Sequence, residues 1–114
     1  MNIDELAESI RGVSDEPLME KLAGYIEEWK QNDKSAEELR EMVERFFGNA
    51  WIPSDEDHSK AYQLWEAFRN EAIQGIGGMT VNERLYWFGL FERFDSCNSE
   101  KEKLVVYAKV HAKP

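Results

Sequence analysis

The sequence predicts an all-α fold, a compact orthogonal or bundle-like domain of five or six helices spanning residues 1–114. Three observations carry this. Apolar residues recur at three- and four-residue spacing along most of the chain. The pairs Ser35/Glu38, Thr80/Glu83 and Ser99/Glu102 have the spacing of capping boxes, which open helices. Clusters of Gly, Asn and Pro separate the periodic stretches.

The first segment runs from Ile3 to Arg11 and stops at Gly12, with Ile3, Leu6, Ala7 and Ile10 on one face. The second starts near Ser14 or Asp15 with Pro17 in its first turn, where a missing N–H is harmless. Its stripe is Leu18, Leu22, Tyr25, Ile26 and Trp29, and it ends around residues 31–33. The third follows Ser35, buries Leu39, Met42, Val43, Phe46 and Phe47, and has Gly48 where a left-handed C-cap belongs. Trp51-Ile52-Pro53 reads as a loop.

The fourth begins in Ser54-Asp55-Glu56-Asp57, acids that suit the positive end of a helix, and presents Ala61, Leu64, Trp65, Phe68, Ala72 and Ile73 before Gly75-Ile76-Gly77-Gly78 stops it. The fifth is expected to run unbroken from Thr80 to Phe94. Leu85, Tyr86, Trp87, Phe88, Leu90 and Phe91 wrap most of its circumference, the pattern of a central helix buried on several sides. Gly89 within it costs roughly 1 kcal/mol against Ala, so close approach of another helix is expected there. The sixth covers Leu104 to Val110; its three valines also suit a strand, but no second strand is at hand to pair with it.

Residues 79–95, Met79-Thr-Val-Asn-Glu-Arg-Leu followed by Gly89-Leu90-Phe91 and Phe94-Asp95, resemble an N-E-R-L…G-L-F…F-D segment of small uncharacterised bacterial proteins. The resemblance implies a bacterial source and a helix at this point. It implies no activity.

Hydrophobic residues at 42% and charged residues at 32% place the chain among globular rather than disordered sequences. The lone Cys97 leaves no intramolecular disulfide. The opening residues lack the basic start and apolar run of a leader, and no apolar stretch reaches the ~18 residues of a membrane span, so a cytoplasmic location is expected. Net charge is −9, and residues 1–58, with 16 acidic and six basic side chains, carry that acidity. Such a surface suits a basic protein rather than a phosphate backbone, so no direct nucleic-acid contact is expected.

No catalytic, metal or cofactor site is expected. Asp55-Asp57-His58 is the densest set of potential ligands, but a calcium loop begun at Asp55 would put Lys60 where the turn needs Gly. The glycines at 75–78 lack the strand and the Lys-Ser/Thr of a phosphate loop. Cys97 has no cationic neighbour in sequence to favour its thiolate. The more specific feature is the acidic face. Glu37, Glu41 and Glu44 point away from the apolar stripe of the third helix, and Glu20 and Glu27 away from that of the second. With Trp51, Tyr62 or Trp29 as apolar anchors at its edge, this face would dock a basic protein, most concretely a toxin nuclease domain neutralised by an immunity-type inhibitor. The alternatives are self-association as a homodimer or structural subunit, and a small metal-dependent hydrolase using Asp55, Asp57 and His58.

Overall fold

The structure is a computed structural model that describes residues 1–113. It contains α1 (Ile3–Arg11), α2 (Pro17–Trp29), α3 (Ala36–Asn49), α4 (Asp55–Phe68), α5 (Val81–Trp87), α6 (Phe91–Asp95) and α7 (Glu100–Lys109). Among the described residues there is no strand, so the fold is all-α, with seven helices where five or six were expected. A π turn at Arg69–Ile73 extends α4, and a 3-10 turn at Ile76–Gly78 follows. The molecule measures 46 × 26 × 21 Å. Its radius of gyration, 14.4 Å, slightly exceeds the roughly 13 Å of a compact chain this long.

The additional helix arises at Gly89. The expected fifth helix stops at Trp87 and restarts at Phe91, because Gly89 takes φ +62°. The Leu90 N–H donates to the Leu85 carbonyl at 2.9 Å and the Gly89 N–H to that of Tyr86 at 3.2 Å. That hydrogen-bond pair is a Schellman C-cap, and the buried Leu85 and Leu90 supply its usual apolar contact. The close approach expected at Gly89 is present as well: a Cβ there would lie 3.0 Å from Ile3 Cγ2, Asp4 Oδ2 and Lys30 Cε. The same cap ends α7. Its left-handed position is His111, φ 56°, with Ala112 N–H on the Tyr107 carbonyl at 2.9 Å and His111 N–H on that of Ala108 at 3.2 Å.

The break also changes what is central. Leu85, Phe88 and Leu90 are buried, whereas Tyr86 and Phe91 are exposed, so residues 81–94 do not form a helix buried all round. Phe88 keeps a central place, in a row of rings running Trp29, Phe88, Phe68, Trp65 at centroid spacings of 5.6, 5.7 and 6.0 Å. Around that row the core is built chiefly by the first half of the chain. The α1 helix lies against α2 and α4 and buries all four of its apolar positions, and α2 lies against α3.

Two helix ends depart from expectation. Gly48 is helical; α3 continues to Asn49 and leaves through an extended Ala50, which sends Ile52 into the core. The α2 helix stops at Trp29, short of residues 31–33, because its final carbonyls are claimed from outside. Lys109, fully buried, places Nζ 2.6 Å from the Trp29 carbonyl, 2.7 Å from that of Asn32 and 2.8 Å from that of Lys34. It also lies 3.8 Å from the centre of the Trp29 ring. Arg93 donates to the Lys30 and Asn32 carbonyls and pairs with Asp33 at 2.8 Å. The α2–α3 connection is thus capped by α6 and α7. Arg84 in turn holds the Val110 and His111 carbonyls at 3.1 and 2.7 Å.

At the end of the π turn, Gly75 leaves no room for a side chain, since a Cβ there would meet the Glu71 carbonyl oxygen at 2.5 Å.

Two predictions follow from these contacts. Gly89→Ala is expected to lose about 2 kcal/mol in urea unfolding, through left-handed strain and the 3.0 Å contacts, while His111→Gly is expected to gain about 0.5–1 kcal/mol. Burial, with the charge of Arg93 adding to it, lowers the Lys109 pKa to about 7. An unfolded lysine titrates near ~10.4, so between those values the unfolded chain holds a proton that the folded chain has released. Stability from this group therefore rises as pH rises from about 7 towards 10. Unfolding free energies at a series of pH values should show that slope in the parent chain and lack it in Lys109→Met.

Candidate functional site

The acidic residues singled out by helical position form two groups, each organised around arginines of the same chain. On the α1–α2 side, Arg11 donates to Glu20 at 2.7 Å, to Glu8 at 3.1 Å and to Glu27 through two nitrogens. This bidentate contact holds the Glu27 carboxyl below the usual carboxylate range and raises the Arg11 guanidinium. On α3, Arg40 bonds Glu37, lowering its pKa, and lies 3.7 Å from Glu44. Glu44 also accepts from Arg69 at 2.7 Å, and Arg69 donates to the Tyr62 hydroxyl at 3.4 Å. Glu37, Arg40, Glu44, Arg69 and Tyr62 therefore form one polar chain from α3 to the end of α4.

Four of the five glutamates expected to meet a foreign cation thus already face one from their own chain. Glu41 is exposed and has no ion pair among the described residues. Sequence alone did not reveal this, because Arg11 lies 16 residues from Glu27 and Arg69 lies 25 from Glu44. Among the pairings of these four glutamates, only those with Arg40 have helical spacing.

The three aromatic anchors separate as clearly. Trp51 is 80% exposed. The extended exit from α3 explains it: adjacent side chains point opposite ways, and Ile52 takes the inward position. Tyr62 is half-buried, its ring edge-on to Phe47 at 5.2 Å and stacked with His58 at 6.4 Å. Trp29 is buried under Lys109, its indole N–H on the Ser35 carbonyl at 2.9 Å, so it anchors the core and not a surface. Two exposed aromatics that sequence reading placed inside, Tyr86 at 51% and Phe91 at 41%, emerge because the helix carrying them is broken.

The residues weighed for chemistry have structural partners. Asp57 accepts from the Ser14 hydroxyl at 2.8 Å, tying α4 to the α1–α2 connection. The Ser54 hydroxyl caps the first turn of α4 through Asp57 N–H. His58 forms a three-ring cluster with Phe47 and Tyr62. The Cys97 thiol donates to the Arg93 carbonyl at 3.3 Å.

The paired and unpaired acids differ in what their loss does. Glu44→Gln should cost about 1 kcal/mol in denaturant unfolding, since Arg69 and Arg40 both lose a charged acceptor. Glu41→Gln should stay within about 0.5 kcal/mol of the parent.

No protein-family model, no curated protein and no solved structure matches this chain.

Proposed function

We propose that the protein is a non-enzymatic binding protein for a basic protein partner. The observation that carries this reading is Trp51, a tryptophan 80% exposed at the end of α3 in a chain of net charge −9. A large apolar side chain held in water is a ready interface anchor, because burying it on a partner recovers its transfer free energy. The surplus of acid steers a cationic partner towards it. Of the five glutamates Glu41 is the one free to pair across an interface, and Glu37, Glu44, Glu20 and Glu27 contribute through the field they share with their arginines. Tyr62 adds a half-buried rim. The most concrete version is an immunity-type inhibitor that covers the cationic surface of a toxin nuclease domain in the bacterial cytoplasm. The second reading, a self-associating subunit, is favoured by the exposed Tyr86 and Phe91 on α5 and α6.

The test uses substitutions that leave the internal ion pairs intact. A basic protein captured from bacterial lysate by the parent chain should be lost with Trp51→Ala, by about a hundredfold in affinity. Glu41→Lys should slow its association several-fold, and moderate salt should weaken binding. A captured partner indifferent to both substitutions would remove the reading. Light scattering across concentrations separates the self-associating alternative.

A further inference from the structure

A second surface of opposite character lies between α2 and α3. Leu18 and Tyr25 of α2 face Met42 and Phe46 of α3 across a groove of about 410 Å³, with the Tyr25 and Phe46 rings edge-on at 6.2 Å. All four belong to the apolar stripes read from the sequence, yet none is fully buried, because the core contact turns both helices. In α2 it uses Met19, Leu22, Ala23, Ile26 and Trp29. In α3 it uses Ala36, Leu39, Val43 and Phe47. Each helix is thus left with an additional apolar row, and the two rows form the walls of one groove.

Its charge runs against that of the molecule. The chain has 23 acidic residues, and none of them lines this groove. Its two charged lining residues are cations. Lys21 is the one base in α2 and lies 5.9 Å from the centre of the Tyr25 ring. Arg45 is the one base in α3 not committed to Glu37 and Glu44. Neither has an ion-pair partner among the described residues, whereas Arg11, Lys30, Arg40, Arg69 and Arg93 all do.

We propose that this groove is a docking site for an acidic amphipathic segment of a partner protein, a helix whose apolar row lies between Tyr25 and Phe46 and whose carboxylates pair with Lys21 and Arg45. Apolar walls with a cation on each side match a helix bearing apolar residues at i, i+3, i+4 and i+7 and acids on both flanks. The groove adjoins the Trp51 surface, since Asn49 and Ala50, the residues before Trp51, line it. On α3, Met42, Arg45, Phe46 and Asn49 share one face, and Glu37 and Glu44 lie more than about 100° round the helix from its centre, while Glu41 neighbours Arg45 four residues away at its edge.

The molecule's overall charge predicts the opposite preference, which makes the test sharp. Two synthetic helical probes of about 14 residues would share the same Leu and Phe row, one flanked by Glu and the other by Lys. In fluorescence anisotropy at low salt the Glu-flanked probe is expected to bind about tenfold more tightly. Lys21→Glu with Arg45→Glu should reverse that order, with thermal unfolding confirming that the variant is folded. The order is read with synthetic probes alone and requires no basic partner, so failure here is distinguishable from failure of the basic-partner reading. The proposal is overturned if the Lys-flanked probe binds more tightly to the parent chain, if neither probe binds, or if the double substitution leaves the order as it was. It is overturned equally if the parent chain dimerises in light scattering and the double variant does not, since the occupant is then a second copy.

Discussion

The Lys109 ammonium, buried against the carboxyl end of α2, is the contact on which the arrangement of the last third of the chain depends. Helix ends and turns leave carbonyls without internal partners, and those of Trp29 at the end of α2 and of Asn32 and Lys34 in the connection after it lie where Lys109 of α7 reaches them. Without a donor, that packing would bury those of Trp29 and Lys34 unsatisfied, at about 1–3 kcal/mol each, while Asn32 would keep Arg93. Three carbonyl oxygens match the three protons of an ammonium, and the Trp29 ring face adds attraction. Burial opposes the charge and Arg93 repels it, while Asp33 and Glu38 favour it. The α7 helix buries only Val106 and Lys109 within its span, with Val110 at its cap, so this polar contact supplies much of its attachment.

The same contact marks the boundary of what could be read in advance. The α1 stripe was legible because all four of its apolar positions face one side and all are used. The cap of α5 was legible because Thr80 and Glu83 bond each other's backbone within four residues. Local sequence carries those signals. Lys109 had no role of its own in the last helical segment, because nothing near it in sequence marks its acceptors as buried. Gly89 was ambiguous for another reason: a glycine tolerated inside a helix and one that ends it have the same propensity cost. The usable clue was Leu85 and Leu90 on either side of it, the apolar pair of a Schellman cap.

The candidate surface shows a related difference between counted charge and available charge. The first half of the chain is strongly acidic, but much of that acid on α2 and α3 is bound to Arg11, Arg40 and Arg69. These pairs lower the local field without changing the formal total. They also stitch α1 to α2 and α3 to the π turn, so the same glutamates serve the fold. What remains for recognition is uneven: a projecting Trp51, an unpaired Glu41, and a groove whose charged lining residues are cations. Composition alone describes neither place.

Trp29 and Lys109 stand 80 positions apart in the sequence. Translation proceeds from the amino end at about 5–20 residues per second, so on the ribosome α2 exists for about 4–16 s before the lysine that completes it has been made. Through that interval the carbonyls that Lys109 will hold have only water as a donor. The α2–α3 connection is therefore completed only when nearly the whole chain has been made.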